Sequence, residues 1–313
     1  MSESLETKHF SEPAAANRAL MRALNGRDDL LASIPAMSAV LRELMDELNQ
    51  PADQVNLLQL AELIARDESL AAQCLRMANS PLFGRGPATD SLRGAVRTLG
   101  LARIADIAIS CGLMRVVPTF KKGLDPVVFW QHSLACAIMA RKLARAVGFG
   151  DPEKAYLAGL LHDLGYIVNL VLFADQTAAA IEKARQEGLF MGDVEYSQLG
   201  FTHCQTGEIL ARKWNLPETL VEVILCHHDV ATADVNPALT AIVALADRLS
   251  RASNLGLGFI EAGLDPVQSE LEWSILIKHC PLAVDMQWSD FVKDSESYIE
   301  EIRSLVSAIC GKQ

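Results

Sequence analysis

A histidine and an aspartate stand side by side in the apolar run Gly159-Leu160-Leu161-His162-Asp163-Leu164-Gly165-Tyr166. An ionised carboxylate in such surroundings costs several kcal/mol unless a cation or hydrogen-bond donors replace its water. The pair therefore implies a metal centre or a tight polar network. Further candidates lie on neighbouring segments. His132 shares a helical stripe with Val128, Ala135, Cys136, Met139 and Leu143, and His203 aligns with Leu199, Thr206, Gly207 and Leu210. Asp247 falls on the stripe of Leu239, Val243 and Ala244, and His227-His228-Asp229 closes the apolar run Val221 to Cys226. Four separate helices that each turn His or Asp inward satisfy one another most simply around a cation. Imidazole and carboxylate suit zinc, iron, manganese or nickel. If helical, His227 and His228 point about 100° apart, so only one of them is needed by any one ion. Asp163 could bridge two ions, and a hydroxide held between them is a competent nucleophile for phosphoester cleavage.

The elements that must position these residues read as helices. Spacings of three and four run through Met37, Val40, Leu41, Leu44 and Leu48, and further helices are expected over Leu57 to Ala65 and from Asp67 to about Asn79. Pro81-Leu82-Phe83-Gly84-Arg85-Gly86-Pro87 is a turn-rich loop, after which Asp90 or Ser91 caps a helix ending near Gly100; the next spans Leu101 to Val116. Beyond Gly123-Leu124-Asp125-Pro126 the pattern predicts helices over Val127–Val147, Pro152–Leu170, Gln176–Glu187, Asp193–Trp214, Pro217–Cys226 and Pro237–Ser253, then near Val267–His279 and Trp288–Ile309. No stretch alternates apolar and polar residues over a strand's length. The expectation is an all-α, two-lobed protein: a tail or arm over residues 1–27 with a short helix from Ala14 to Leu24, an N-terminal helical lobe over 28–122, a second lobe with the pocket over 123–254, and a helical extension over 255–313.

Composition narrows the function classes. The formal charge of -11 argues against direct nucleic-acid binding. Within residues 71–122, however, Arg76, Arg85, Arg93, Arg97, Arg103, Arg115, Lys121 and Lys122 face only Asp90 and Asp106, a surface that could meet an acidic partner. Seven cysteines without CxxC spacing read as buried reduced thiols. No run reaches the roughly 20 apolar residues of a membrane span and the N-terminus lacks a signal-peptide pattern, so a cytoplasmic protein is expected. Serine and cysteine nucleophile motifs are absent, and Gly84-Arg85-Gly86 and Gly256-Leu257-Gly258 are turns rather than phosphate loops.

The order of His, then His-Asp, then a distant inward Asp resembles the HD superfamily of metal-dependent phosphohydrolases, and the added histidines resemble its two-metal branch, which includes the HD-GYP cyclic-dinucleotide phosphodiesterases. The resemblance assigns His132, His162, Asp163 and Asp247 to the basic ligand set, and His203, His227 and His228 to positions that the two-metal branch adds. A wider match is to the HDOD domain over roughly residues 25 to 235. It rests on Ile34-Pro35-Ala36-Met37, Asp67-Glu68-Ser69-Leu70-Ala71, Arg76-Met77-Ala78-Asn79-Ser80-Pro81-Leu82-Phe83-Gly84, Ala95-Val96-Arg97-Thr98-Leu99-Gly100-Leu101, Trp130-Gln131-His132-Ser133 and Ala158 to Gly165. That resemblance implies a helical N-terminal lobe packed on an HD-like lobe in a bacterial signalling protein.

Two departures weigh against cyclic di-GMP turnover. Tyr166 stands where HD-GYP enzymes carry a lysine three residues after the aspartate, and Asp229-Val230-Ala231 follows the paired histidines in place of a Gly-Tyr-Pro loop. Three readings stay open: a regulatory module whose pocket holds one or two divalent ions (iron, manganese, zinc, nickel or magnesium), with a nucleotide as a candidate ligand and a signalling protein as partner; a metal-dependent phosphohydrolase in which Asp163 bridges the ions and positions hydroxide; and a helical scaffold with a satisfied polar network.

Overall fold

The computed structural model describes residues 36–48, 57–79, 89–116, 122–260, 270–294, 298–299 and 302–303. The expected helix at 14–24, the 81–87 loop and the end of the C-terminal extension lie outside them. Fourteen α-helices and no strands occur among the described residues, so the all-α expectation holds.

Five helices come first: α1 (Ala39–Leu48), α2 (Leu57–Ala65), α3 (Glu68–Ala78), α4 (Leu92–Leu99) and α5 (Leu101–Val116). Their starts follow from capping chemistry. The Asp67 carboxylate accepts from Ser69 N and Leu70 N at 3.0 and 3.1 Å, and Ser91, rather than Asp90, accepts from Gly94 N at 3.1 Å. α5 packs against α1 and α3, and one buried apolar cluster runs from Met37 on through the chain to Ile302.

The helices that carry the candidate residues follow. α6 (Pro126–Val147), α7 (Pro152–Leu161) and α13 (Pro237–Ala252) pack together, and each begins with proline behind a capping Asp125, Asp151 or Asn236. α8 (Leu164–Leu172) crosses α11 (His203–Lys213), which pairs with α12 (Glu218–Cys226); α9 (Ala174–Glu187) pairs with α10 (Met191–Leu199). α14 (Glu270–His279) rests on α13. α5 is tied to this group by polar contacts: Arg141 of α6 donates to both Asp106 oxygens at 2.8 and 2.9 Å and to Glu153 at 3.1 Å, while Ser110 lies 3.3 Å from the Tyr156 hydroxyl. The stretch Pro152–Leu172 is long and apolar enough to cross a membrane, but an apolar 18-residue window within it is 94% buried inside the protein.

Two expected helices are each broken into two. The 152–170 helix stops at Leu161 and restarts at Leu164, leaving His162 and Asp163 in the break. The Gly159 carbonyl, which a continuing helix would offer to the Asp163 N–H, accepts from His162 Nδ1 at 2.7 Å. The 193–214 helix is interrupted at Gly200, whose φ of 81° lies in the left-handed region that glycine tolerates. Thr202 and Gln205 then form a capping box, so His203 opens a helix instead of sitting within one.

Close helix crossings bring these breaks together. A Cβ on Gly165 would overlap the His203 carbonyl oxygen and stand 2.8 Å from Gly207 N; one on Gly159 would stand 2.9 Å from Ala137 Cα. Only glycine lets α8 and α11 meet backbone to backbone. We expect Gly165→Ala to destabilise the protein by about 3 kcal/mol, at the upper end of ordinary overpacking costs. Gly150→Ala, which meets nothing within 4 Å, should stay within about 0.5 kcal/mol. Urea denaturation of the two variants checks this, and equal stabilities would contradict it.

Candidate metal centre

All seven sequence-selected residues converge on one cluster built around Asp163. Its Oδ2 lies 3.3 Å from both His132 Nε2 and His162 Nε2, and its Oδ1 lies 3.7 Å from His203 Nε2 and 3.5 Å from His227 Nε2. Asp247 Oδ1 lies 3.1 Å from His132 Nε2 and 3.7 Å from His162 Nε2. The two carboxylate oxygens of Asp163 therefore face different groups of histidines. His227 and His228 are not divided between them: their rings lie 4.0 Å apart and both sit against His203.

The outer nitrogens determine what the inner ones present. His132 Nδ1 faces the Leu255 carbonyl at 3.0 Å, His162 Nδ1 the Gly159 carbonyl, and His227 Nδ1 the Val223 and Ile224 carbonyls at 3.2 and 3.1 Å. A carbonyl can only accept, so each Nδ1 carries the hydrogen and each neutral ring presents an Nε2 lone pair inward. Those lone pairs meet carboxylate oxygens, which also only accept. Accordingly the Nε2 atoms of His132, His162, His227 and His228 and both Asp163 oxygens are buried without a hydrogen-bond partner. Atoms bound to one ion at about 2.0–2.1 Å lie about 2.8–3.4 Å apart, from the octahedral edge to the tetrahedral one. The His132–Asp247, His132–Asp163 and His162–Asp163 separations fall in that range, so the donor set fits a cation.

Electrostatics point the same way. Burial opposes ionisation of Asp163, but positive charge on His162 and the His132, His162 and His227 rings gathered around the carboxylate outweigh it and hold the carboxyl well below its usual range. Burial likewise disfavours a charged His162, yet Asp163 and then Cys136 raise it well above the ordinary imidazole value. His227 is driven down to about 4 by burial and by the charges of His162 and His203, against the pull of Asp163. The pocket thus holds an ionised carboxylate and calls for positive charge beside it.

Three participants escaped the sequence reading. Glu195, fully buried, accepts from His203 Nδ1 at 2.7 Å and from His203 N at 3.0 Å, and from Asn169 Nδ2 at 3.0 Å. Its position four residues from both Met191 and Leu199, on an apolar stripe, was the available signal. Arg251, one turn beyond Asp247, donates through Nε to Oδ1 at 2.9 Å and through Nη2 to Oδ2, placing a guanidinium at that edge of the cluster. Cys204 Sγ lies 3.6 Å from His203 Nε2. Tyr166, at the lysine position of the HD-GYP pattern, is buried and stacks on the His203 ring at 4.1 Å.

Comparison with known proteins agrees with this architecture. The HDOD domain profile matches residues 34–230, well over half the chain. The chain belongs to the HDOD family. A crystal structure of an HDOD domain protein of unknown function from Geobacter sulfurreducens superposes with a TM-score of 0.78 at 26% identity, covering 94% of this chain and 98% of that one. A candidate signal transduction protein from Marinobacter aquaeolei shares the fold at a TM-score of 0.78 and 19% identity, over 95% of this chain and 66% of the other. An uncharacterised protein of Treponema pallidum (strain Nichols) is 26% identical over 222 residues, 68% of this chain; the match spans 42% of that relative's length.

The Glu195–His203 contact gives this HDOD protein a checkable dependence. Partners of this kind typically contribute 10–100-fold to metal affinity (roughly that factor on their loss) by fixing the tautomer of the ligating ring. Glu195→Ala should weaken divalent-metal affinity by about that factor in a chelator competition, with Glu195→Gln weakening it less. Unchanged affinity in the alanine variant would remove Glu195 from the site.

Proposed function

We propose that this HDOD protein is a regulatory signalling module whose buried His/Asp pocket binds one or two divalent cations and which acts through a protein partner. The observation that carries the reading is the set of five buried acceptor atoms, on His132, His162, His227 and Asp163, with no donor among them, beside the likewise unpartnered Nε2 of His228. His132, His162, Asp163 and Asp247 would hold one ion, with His203, His227 and His228 beside a second. Bound there, the cations would supply Lewis acidity. The chain's own residues orient the donors, exclude water and keep Asp163 ionised.

Burial favours the regulatory role over turnover. His132, His162 and Asp163 have no exposed surface; Tyr166 stacks on His203 with Phe259 behind it, and Phe190 lies edge-on to His228. A substrate phosphate would reach the cluster only after these groups moved. The partner surface we assign to the basic segment 71–122 keeps Arg93 and Arg97 exposed on α4, whereas Arg115 is paired with Asp67 and Lys122 with Asp175. The second reading, a metal-dependent phosphohydrolase acting on a nucleotide or cyclic dinucleotide, is favoured by the two faces of Asp163, an arrangement suited to bridging two ions.

Metal analysis and turnover decide between these readings. Protein purified without added metal and then reconstituted should retain at least about one equivalent of a transition metal, since five buried acceptors cannot satisfy one another. Asp163→Ala should abolish this retention. Cyclic dinucleotides, nucleotides and a generic phosphodiester should remain intact with the loaded protein. Hydrolysis lost on Asp163→Ala would establish the phosphohydrolase instead, and failure of the wild type to take up any metal would leave a polar scaffold.

A further inference from the structure

The two sides of Asp163 are chemically unequal. Around Oδ2 the clustered donors are imidazole nitrogens and carboxylate oxygens, from His132, His162 and Asp247, while the nearby Cys136 thiol is directed at the Val243 carbonyl at 3.9 Å. On the Oδ1 side, Cys204 joins His203, His227 and His228, and one ligand atom from each of these four residues lies within 4.8 Å of every other. We propose that Cys204 supplies a thiolate to a second metal site with His203, His227 and His228, and that this site selects zinc or a similarly thiophilic ion over magnesium or manganese. The inference rests on the metal-binding reading above and assigns a ligand that reading does not include.

Each donor is already aimed. Glu195 takes the His203 Nδ1 hydrogen, so His203 Nε2 presents its lone pair toward Cys204 Sγ. His227 Nδ1 is occupied by helix carbonyls, and the Nε2 atoms of His227 and His228 are buried without partners. The separation also fits. A tetrahedral ion with a nitrogen at about 2.0 Å and a sulfur at about 2.3 Å sets those atoms about 3.5 Å apart, and the observed Nε2 to Sγ distance is 3.6 Å. A thiol donating to His203 would account for that one contact but leave the His227 and His228 nitrogens unsatisfied. A cation accounts for all four. Soft thiolate with imidazoles suits zinc, whereas magnesium and manganese prefer oxygen. On binding, the S–H bond gives up its proton to solvent and the sulfur lone pair goes to the metal, with no change of oxidation state.

The test uses the full chain loaded with zinc alone or cobalt(II) alone. Zinc-edge X-ray absorption should show a sulfur shell at about 2.3 Å, and the cobalt form should show an intense near-ultraviolet thiolate-to-metal band. Both signals should disappear in Cys204→Ser and persist in Cys136→Ser and Cys226→Ser, which remove the neighbouring thiols. They should also persist in His132→Ala, which cuts into the other site. Metal bound with only nitrogen and oxygen neighbours in the wild type would overturn the sulfur ligand while leaving metal binding intact. Loss of the signals in Cys226→Ser or Cys136→Ser would assign the sulfur elsewhere and overturn it, whether or not Cys204→Ser folds. No metal uptake at all would overturn both this inference and the reading beneath it.

Discussion

One buried aspartate sets the terms for the whole molecule. Asp163 is sealed from solvent in a cluster of imidazoles whose inner nitrogens present lone pairs. Transferring a carboxylate from water into such a place costs several kcal/mol even after relaxation, and further acceptors cannot offset that cost. Positive charge can, whether as protons on His162 and His203 or as a metal ion. Against burial, Asp163 and then Cys136 raise the proton affinity of His162, and Cys204 and Glu195 raise that of His203. The remaining architecture serves to hold the donors at fixed distances from this charge.

The fixing is done twice over. Backbone carbonyls at the ends of α7 and α12, together with Leu255 and the Glu195 carboxylate, settle which nitrogen of His132, His162, His203 and His227 carries hydrogen. The ring contacts of His162 and His227 also satisfy carbonyls at helix C-termini, where the helix dipole favours an imidazole. Meanwhile Gly165 and Gly207 let two helices approach more closely than any side chain permits, so the start of α11 reaches the break in front of α8. Stability and site geometry draw on the same contacts.

The sequence made much of this legible because apolar stripes are periodic. His132 and Asp247 stand on stripes of Val, Ala, Met and Leu, and inward-facing polar residues in such places are conspicuous. The breaks were less visible. Nothing in Leu160 to Gly165 has the turn chemistry that ends a helix; what ends it is a side chain returning to a carbonyl three residues back. Gly200 did signal a stop, but the apolar period continues across it and hides the signal. Glu195 and Arg251 were missed for a related reason: their importance lies in which distant group they meet, and tertiary packing decides that. Adjacent His227 and His228 seemed bound to diverge on a regular helix, yet the helix ends at Cys226 and both rings turn toward His203.

The segment after α13 gives the cluster one more property. Leu255 accepts from His132, Arg185 donates to the Leu257 carbonyl at 3.0 Å, and the Met191 N–H donates to Ile260 at 2.7 Å, so residues 255–260 are stitched across three parts of the fold. An ion enclosed among His132, His162 and Asp163 would exchange with the medium through local opening of such stitching, at a rate set by the free energy of that opening. Such a centre would keep a record of the metal present when the chain folded. Its occupancy would behave as a memory of past supply, and it would be a poor gauge of the present one.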